Sequence, residues 1–163
     1  MKLFTEALKF LENSDEFKNW KKQNPGVFLS SGFTILDQDY WKISYYHKKT
    51  DKITSFVVSS IIEIEPESEI FKKETTKVNE LNLEDLKLNL DKTLEIAKKF
   101  QQEKYKDEIT NKTIIILQKL DIGQIWNITC LTLKLNTLNL KIDTKTGKIL
   151  EHKLSSILSF KQS

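Results

Sequence analysis

Apolar residues recur near the start of the chain at Phe4, Ala7, Leu8 and Leu11, the three-and-four spacing of a helix that buries one face. Asn13 and Ser14 interrupt the run. Ser14 is placed either to cap a second short helix carrying Phe17 and Trp20, or to lie within one helix that continues to Lys22. Asn24-Pro25-Gly26 stops the helical pattern in both cases. Beyond it the texture changes to β-branched and aromatic residues between turn signals. That pattern predicts strands over residues 27–36, 40–47, 53–58 and 61–65, the last ended by Pro66.

The stretch after this first strand set is almost wholly polar and reads as a linker over residues 73–81. Asn82 then has the character of an N-cap, with Asp85 in the first turn where a negative charge meets the helix dipole. The helix predicted from there buries Leu83, Leu86, Leu90, Leu94, Ala97 and Phe100 on one stripe. Strands are predicted again over residues 113–120, 125–135, 138–143 and 148–154. The last two are joined by Thr144-Lys145-Thr146-Gly147, with glycine where a left-handed residue is wanted.

Both halves therefore read helix first and strands after, with residues 1–72 and 82–163 as two copies of one unit. The block Leu36-Asp37-Gln38-Asp39-Tyr40-Trp41-Lys42-Ile43 is echoed by Leu120-Asp121-Ile122-Gly123-Gln124-Ile125-Trp126-Asn127-Ile128. Trp41 and Trp126 fall at matching places, each followed by an isoleucine on the same face, Ile43 and Ile128, which predicts core packing under the helix. Short strands joined by tight turns imply antiparallel pairing, and one amphipathic helix per half covers one face of such a sheet. The fold class is α+β.

Composition adds mainly exclusions. The 163 residues carry a formal charge of only +3, and every basic side chain other than the two histidines is lysine. Without arginine's planar fork the chain lacks the usual tool for reading guanine edges, and its lysines are interleaved with acids, so nucleic acid is disfavoured as a partner. Lone Cys130 cannot close an intramolecular disulfide. With acidic residues close to the N-terminus and no apolar run of about 20 residues, the expectation is a soluble, cytoplasmic chain away from membranes.

No catalytic, cofactor or metal site is predicted. Nucleophilic catalysis needs Ser or Cys near a histidine with an orienting carboxylate, yet His47 and His152 are each isolated in strand-like sequence. One cysteine and two distant histidines do not make a zinc ligand set. Thr146-Gly147-Lys148 lacks the upstream glycine and following hydroxyl of a phosphate loop. The alternating acids Glu63, Glu65, Glu67 and Glu69 read as a charged sheet edge that discourages strand addition. Alternation puts Trp41 and Tyr45 on one face and leaves Tyr40 and Tyr46 outward. Those two, with neighbouring His47, are the predicted partner-binding residues.

The second half, residues 83–154, resembles the PepSY domain family and its PepSY-like relatives. The resemblance rests on Leu94-Glu95-Ile96-Ala97, on Trp126-Asn127-Ile128, and above all on Leu138-Asn139-Leu140-Lys141-Ile142-Asp143-Thr144-Lys145-Thr146-Gly147-Lys148-Ile149-Leu150. The last string looks like that family's terminal hairpin. The first half would be a diverged copy, with Ser59 and Ser60 where Asp and Gly are expected. The resemblance implies a cystatin-like arrangement of helix on antiparallel sheet and a non-catalytic role in regulation or protein binding. The expected function is thus a module that binds an unidentified protein, with self-association left open. The alternatives are a small-molecule carrier or enzyme with a pocket between helix and curved sheet, and, third, a lysine-dependent nucleic-acid binder.

Overall fold

The structure, a computed structural model, describes residues 3–70 and 76–162. The chain begins with two helices, α1 (Phe4–Asn13) and α2 (Asp15–Gln23). Ser14 separates them by bonding both ways: its hydroxyl donates to the Leu11 carbonyl at 2.7 Å and accepts from the Phe17 N–H at 3.2 Å. One residue thus closes α1 and satisfies an orphan donor at the start of α2.

Five strands follow: β1 (Val27–Ile35), β2 (Trp41–His47), β3 (Lys52–Val58) and the short β4 (Ile62–Ile64) and β5 (Ser68–Glu69). After helix α3 (Leu90–Lys104) come β6 (Thr110–Leu120), β7 (Gly123–Thr132), β8 (Asn136–Asp143) and β9 (Ile149–Ser156). All nine belong to one antiparallel sheet in the order β4-β3-β2-β1-β6-β7-β8-β9, with β5 beside β3. Its centre is the pairing of β1 with β6, Ser31 opposite Gln118 through Ile35 opposite Ile114. From that pair the strands run outward in chain order on both sides. The architecture is α+β.

One row across the sheet reads Ile43, Gly32, Leu117, Trp126, Ile142. Trp41 and Trp126 share this face, each 1% exposed, with ring centroids 6.3 Å apart. Gly32 is bare for a reason: a Cβ there would overlap the Phe4 ring, which lies over it and meets Trp41 edge-on at 5.2 Å. Phe17 of α2 packs on Tyr45 and Phe56, and Leu90 and Ala97 of α3 join the same core. All three α-helices therefore cover one face.

The predicted helix start at Asn82 is corrected. Asn82 does cap, its side chain accepting from the Glu84 N–H at 3.0 Å, but only a single 3-10 turn, Leu83–Asp85, follows. The chain is then tied to the β8–β9 turn. Lys87 and Leu88 N–H groups both donate to the Thr144 carbonyl, at 3.1 and 2.9 Å, and the Thr144 hydroxyl donates to the Asp85 carbonyl. Those bonds replace the helical ladder, and α3 starts afresh with Asn89 accepting from the Lys92 N–H at 2.9 Å. Leu83, expected on the buried stripe, is 46% exposed.

Smaller differences follow from turns. The strand expected over residues 125–135 stops at Thr132, because Leu135 sits at φ +58° in the turn to β8. In the β8–β9 turn, Asp143 accepts from the Lys145 and Thr146 N–H groups at 3.0 and 2.7 Å and from the Thr146 hydroxyl at 2.9 Å. Burial works to raise this carboxyl, and those donors outweigh it, holding it below the usual carboxylate range. Gly147 closes the turn at φ +76°, beside Ile96 of α3.

Candidate functional site

The two histidines lie far apart. Four strands separate β2 from β9, and the row through His152 crosses β1 at Thr34 whereas His47 sits opposite Val27, so the two histidines share neither a strand pair nor a row of the sheet. His152 Nδ1 meets the Tyr105 hydroxyl at 2.6 Å, and its ring packs against Phe100. His47 has a triad-like line of neighbours: Nε2 bonds the Thr54 hydroxyl at 2.8 Å, and Nδ1 faces Glu67 at 3.7 Å. Thr54 is only 4% exposed and Trp20 stands edge-on to the imidazole, so the line is built into the packing of α2 on the sheet. The line is a packing arrangement. Among the described residues, no three His, Cys, Asp or Glu side chains converge as a metal ligand set.

The structure does not bring the predicted trio together. Tyr40 lies just before β2, with its carbonyl accepting from the Thr34 hydroxyl at 2.7 Å, whereas Tyr46 and His47 close the far end of that strand. Tyr46 and His47 also face opposite sides of the sheet. The exposed anchor expected at Tyr46 is corrected: the side chain is 8% exposed, because Phe28 packs over its ring and its hydroxyl donates to Asp51 at 2.6 Å. Only Tyr40 keeps a half-exposed surface on this side.

Two features remain as candidate binding surfaces. The first is the sheet face opposite the α-helices. One of its rows reads Val57, Lys42, Phe33, Ile116, Asn127, Lys141, Glu151, and the next places Ile35 beside Ile114 and Thr129. Phe33, Ile35, Ile114 and Ile116 form a half-buried apolar centre on β1 and β6. Beside it, the Asn139 amide donates to Asn127 at 2.6 Å and to the Thr129 hydroxyl at 2.9 Å. The flanking lysines are neutralised within the chain, Lys42 by Glu65 and Lys141 by Glu151. The face is apolar at its centre and rimmed by satisfied amides.

The second feature is a trough of about 810 Å³ on the helical side. α1 and α2 cover the first strand set, but α3 alone lies over the second, so the sheet stays open between α3 and the turn after β1. Leu94, Ala97, Ile128 and Cys130 form the apolar floor, and Lys98, Lys106 and Lys112 stand at the rim. Burial pushes the Cys130 thiol up, away from the reactive thiolate. Neither histidine lines this trough. Its signal in the sequence is faint, since it depends on the unequal helix cover of the two halves.

No protein-family model matches the chain, and no curated protein matches it. Among solved structures, a putative lipoprotein from Clostridium difficile is similar in fold, with a TM-score of 0.56 at 16% sequence identity. The alignment covers 86% of this chain and 91% of that one. Among the described residues, no helix is long and apolar enough to cross a membrane.

Proposed function

We propose that this chain is a non-catalytic, PepSY-like binding module of two repeats that docks a protein on the helix-free face of its sheet. One observation carries the reading: all three α-helices pack on the Trp41 and Trp126 side, leaving Phe33, Ile35, Ile114 and Ile116 as an apolar centre without helical cover. The partner fitted to it is a protein surface with an apolar protrusion, since Lys42 and Lys141 beside the centre are already paired and offer little to phosphate. The Asp143 to Gly147 hairpin supports the PepSY-like assignment, and the lone buried Cys130 suits a reducing cytoplasm.

The test is crosslinked capture from a lysate of the source organism with wild-type protein, Ile116→Lys, and Lys98→Glu as a control on the opposite side. A stoichiometric protein retained by wild type and Lys98→Glu but lost by Ile116→Lys is the expected outcome. Capture unchanged by Ile116→Lys removes the face from the reading.

The trough favours a second reading, a small-molecule carrier, because 810 Å³ lies within the range of drug-sized ligand sites. On this reading native mass spectrometry finds a co-purifying small molecule that is absent from Ala97→Trp. A ligand-free chain, or one whose ligand survives that substitution, counts against it.

A further inference from the structure

The two ends of the sheet differ. On one side it finishes in β4 and β5, three and two residues long, which carry Glu63 and Glu69 with Glu65 and Glu67 between them, the kind of short, charged edge that resists pairing. On the other side it finishes in β9, eight residues long, and among the described residues no strand pairs with its free edge. Its sequence is Ile149-Leu150-Glu151-His152-Lys153-Leu154-Ser155-Ser156.

We infer that β9 pairs antiparallel with β9 of a second copy, about a two-fold axis that sets His152 opposite His152. The charges of the strand favour this register over its two neighbours. Pairing about a two-fold normal to the sheet keeps each side chain on its own face, so the allowed registers differ by two residues. Centring on Glu151 sets that carboxylate against itself, and centring on Lys153 does the same with its ammonium. Centring on His152 sets Glu151 opposite Lys153 of the second copy twice over and Leu150 opposite Leu154. Like charges directly opposed destabilise a sheet pair and opposite charges support it.

The surrounding structure agrees with that register. Lys141 of β8 already pairs with Glu151, and Lys153 lies beside Asn139, so the outward row would alternate Lys141, Glu151, then Lys153 and Asn139 of the second copy. On the helical face Leu154 is 38% exposed at the edge, although its neighbour Leu138 is fully buried, so the free edge of β9 keeps an apolar side chain that pairing with a second copy would shield. A register shift between Lys141 and Ile142 disturbs β9 near Leu150, which confines the new ladder to about five residues and makes the dimer a weak, concentration-dependent one.

The experiment is sedimentation velocity on the full chain from low micromolar to millimolar concentration. The weight-average mass is expected to rise from 19.1 kDa toward twice that value. Glu151→Lys and Lys153→Glu, both at exposed positions, should each weaken dimerisation at least tenfold. The double variant that exchanges the two charges should recover it, as should an equal mixture of the two single variants, in which acid again meets base. A wild-type chain that stays at 19.1 kDa throughout overturns the inference. So does a dimer indifferent to both single reversals, or single losses that neither the double variant nor the mixture repairs.

Discussion

Tyr45 sits 3% exposed beneath α2, with its hydroxyl donating to Glu12 at 3.2 Å. Burial, and secondarily the Glu12 carboxylate, raise its pKa far above the ordinary tyrosine value. A tyrosine in the unfolded chain ionises near pH 10, while this one stays protonated in the fold. The unfolded state therefore binds fewer protons above about pH 10, and stability should fall as pH rises beyond it, by up to about 1.4 kcal/mol per pH unit. Urea midpoints measured between about pH 8 and 11 should show this decline, and Tyr45→Phe should flatten it. An equally steep decline in the variant would assign the effect elsewhere. Alternation in the sequence placed Tyr45 inward, and it is inward. The same alternation could not tell that Phe28 and Asp51 would enclose Tyr46 on the other face, since both contacts form across a strand pair or its turn.

Helix ends show a similar division between pattern and contact. Asn82 and Asn89 both have the chemistry of an N-cap, and both side chains accept from a backbone N–H. Periodicity alone favours the earlier start, because Leu83 and Leu86 continue the apolar stripe. The structure starts α3 at the later one because Thr144 draws Lys87 and Leu88 into its own turn. Asn89→Ala should accordingly cost about 1 kcal/mol, the usual loss for a helix cap, while Asn82→Ala should cost less because it caps a single turn. Denaturant titration of the two variants gives the comparison. A larger loss at Asn82 would mean that the helix begins there after all. Ser14 is the converse case: the sequence allowed either a cap or one continuous helix, and the structure divides α1 from α2 at that residue.

At the scale of the molecule, the pairing of β1 with β6 makes the two halves one cooperative unit. Its ladder joins Ser31–Ile35 to Ile114–Gln118, and Phe4, Trp41, Trp126 and Ile128 belong to one core. Thermal unfolding followed by tryptophan fluorescence and by far-ultraviolet circular dichroism should therefore show one coincident transition. Two separated transitions would return the halves to independent domains on either side of residues 73–81.

By itself the sequence determined most of the local order: the run of helices and strands apart from the start of α3 and the end of β7, the apolar face of most of them, and the turn at Asp143 and Gly147. Those properties depend on residues a few positions apart, through side-chain period, capping and backbone freedom. Only the tertiary structure decided that the strands form a single nine-stranded sheet, that Trp41 and Trp126 meet beneath its helices, and that one face of it is left without helical cover. It also decided that the second half, with one described α-helix where the first has two, opens a trough. Each of these rests on contacts between residues far apart along the chain, and no short-range pattern encodes which of two chemically similar strands will be neighbours.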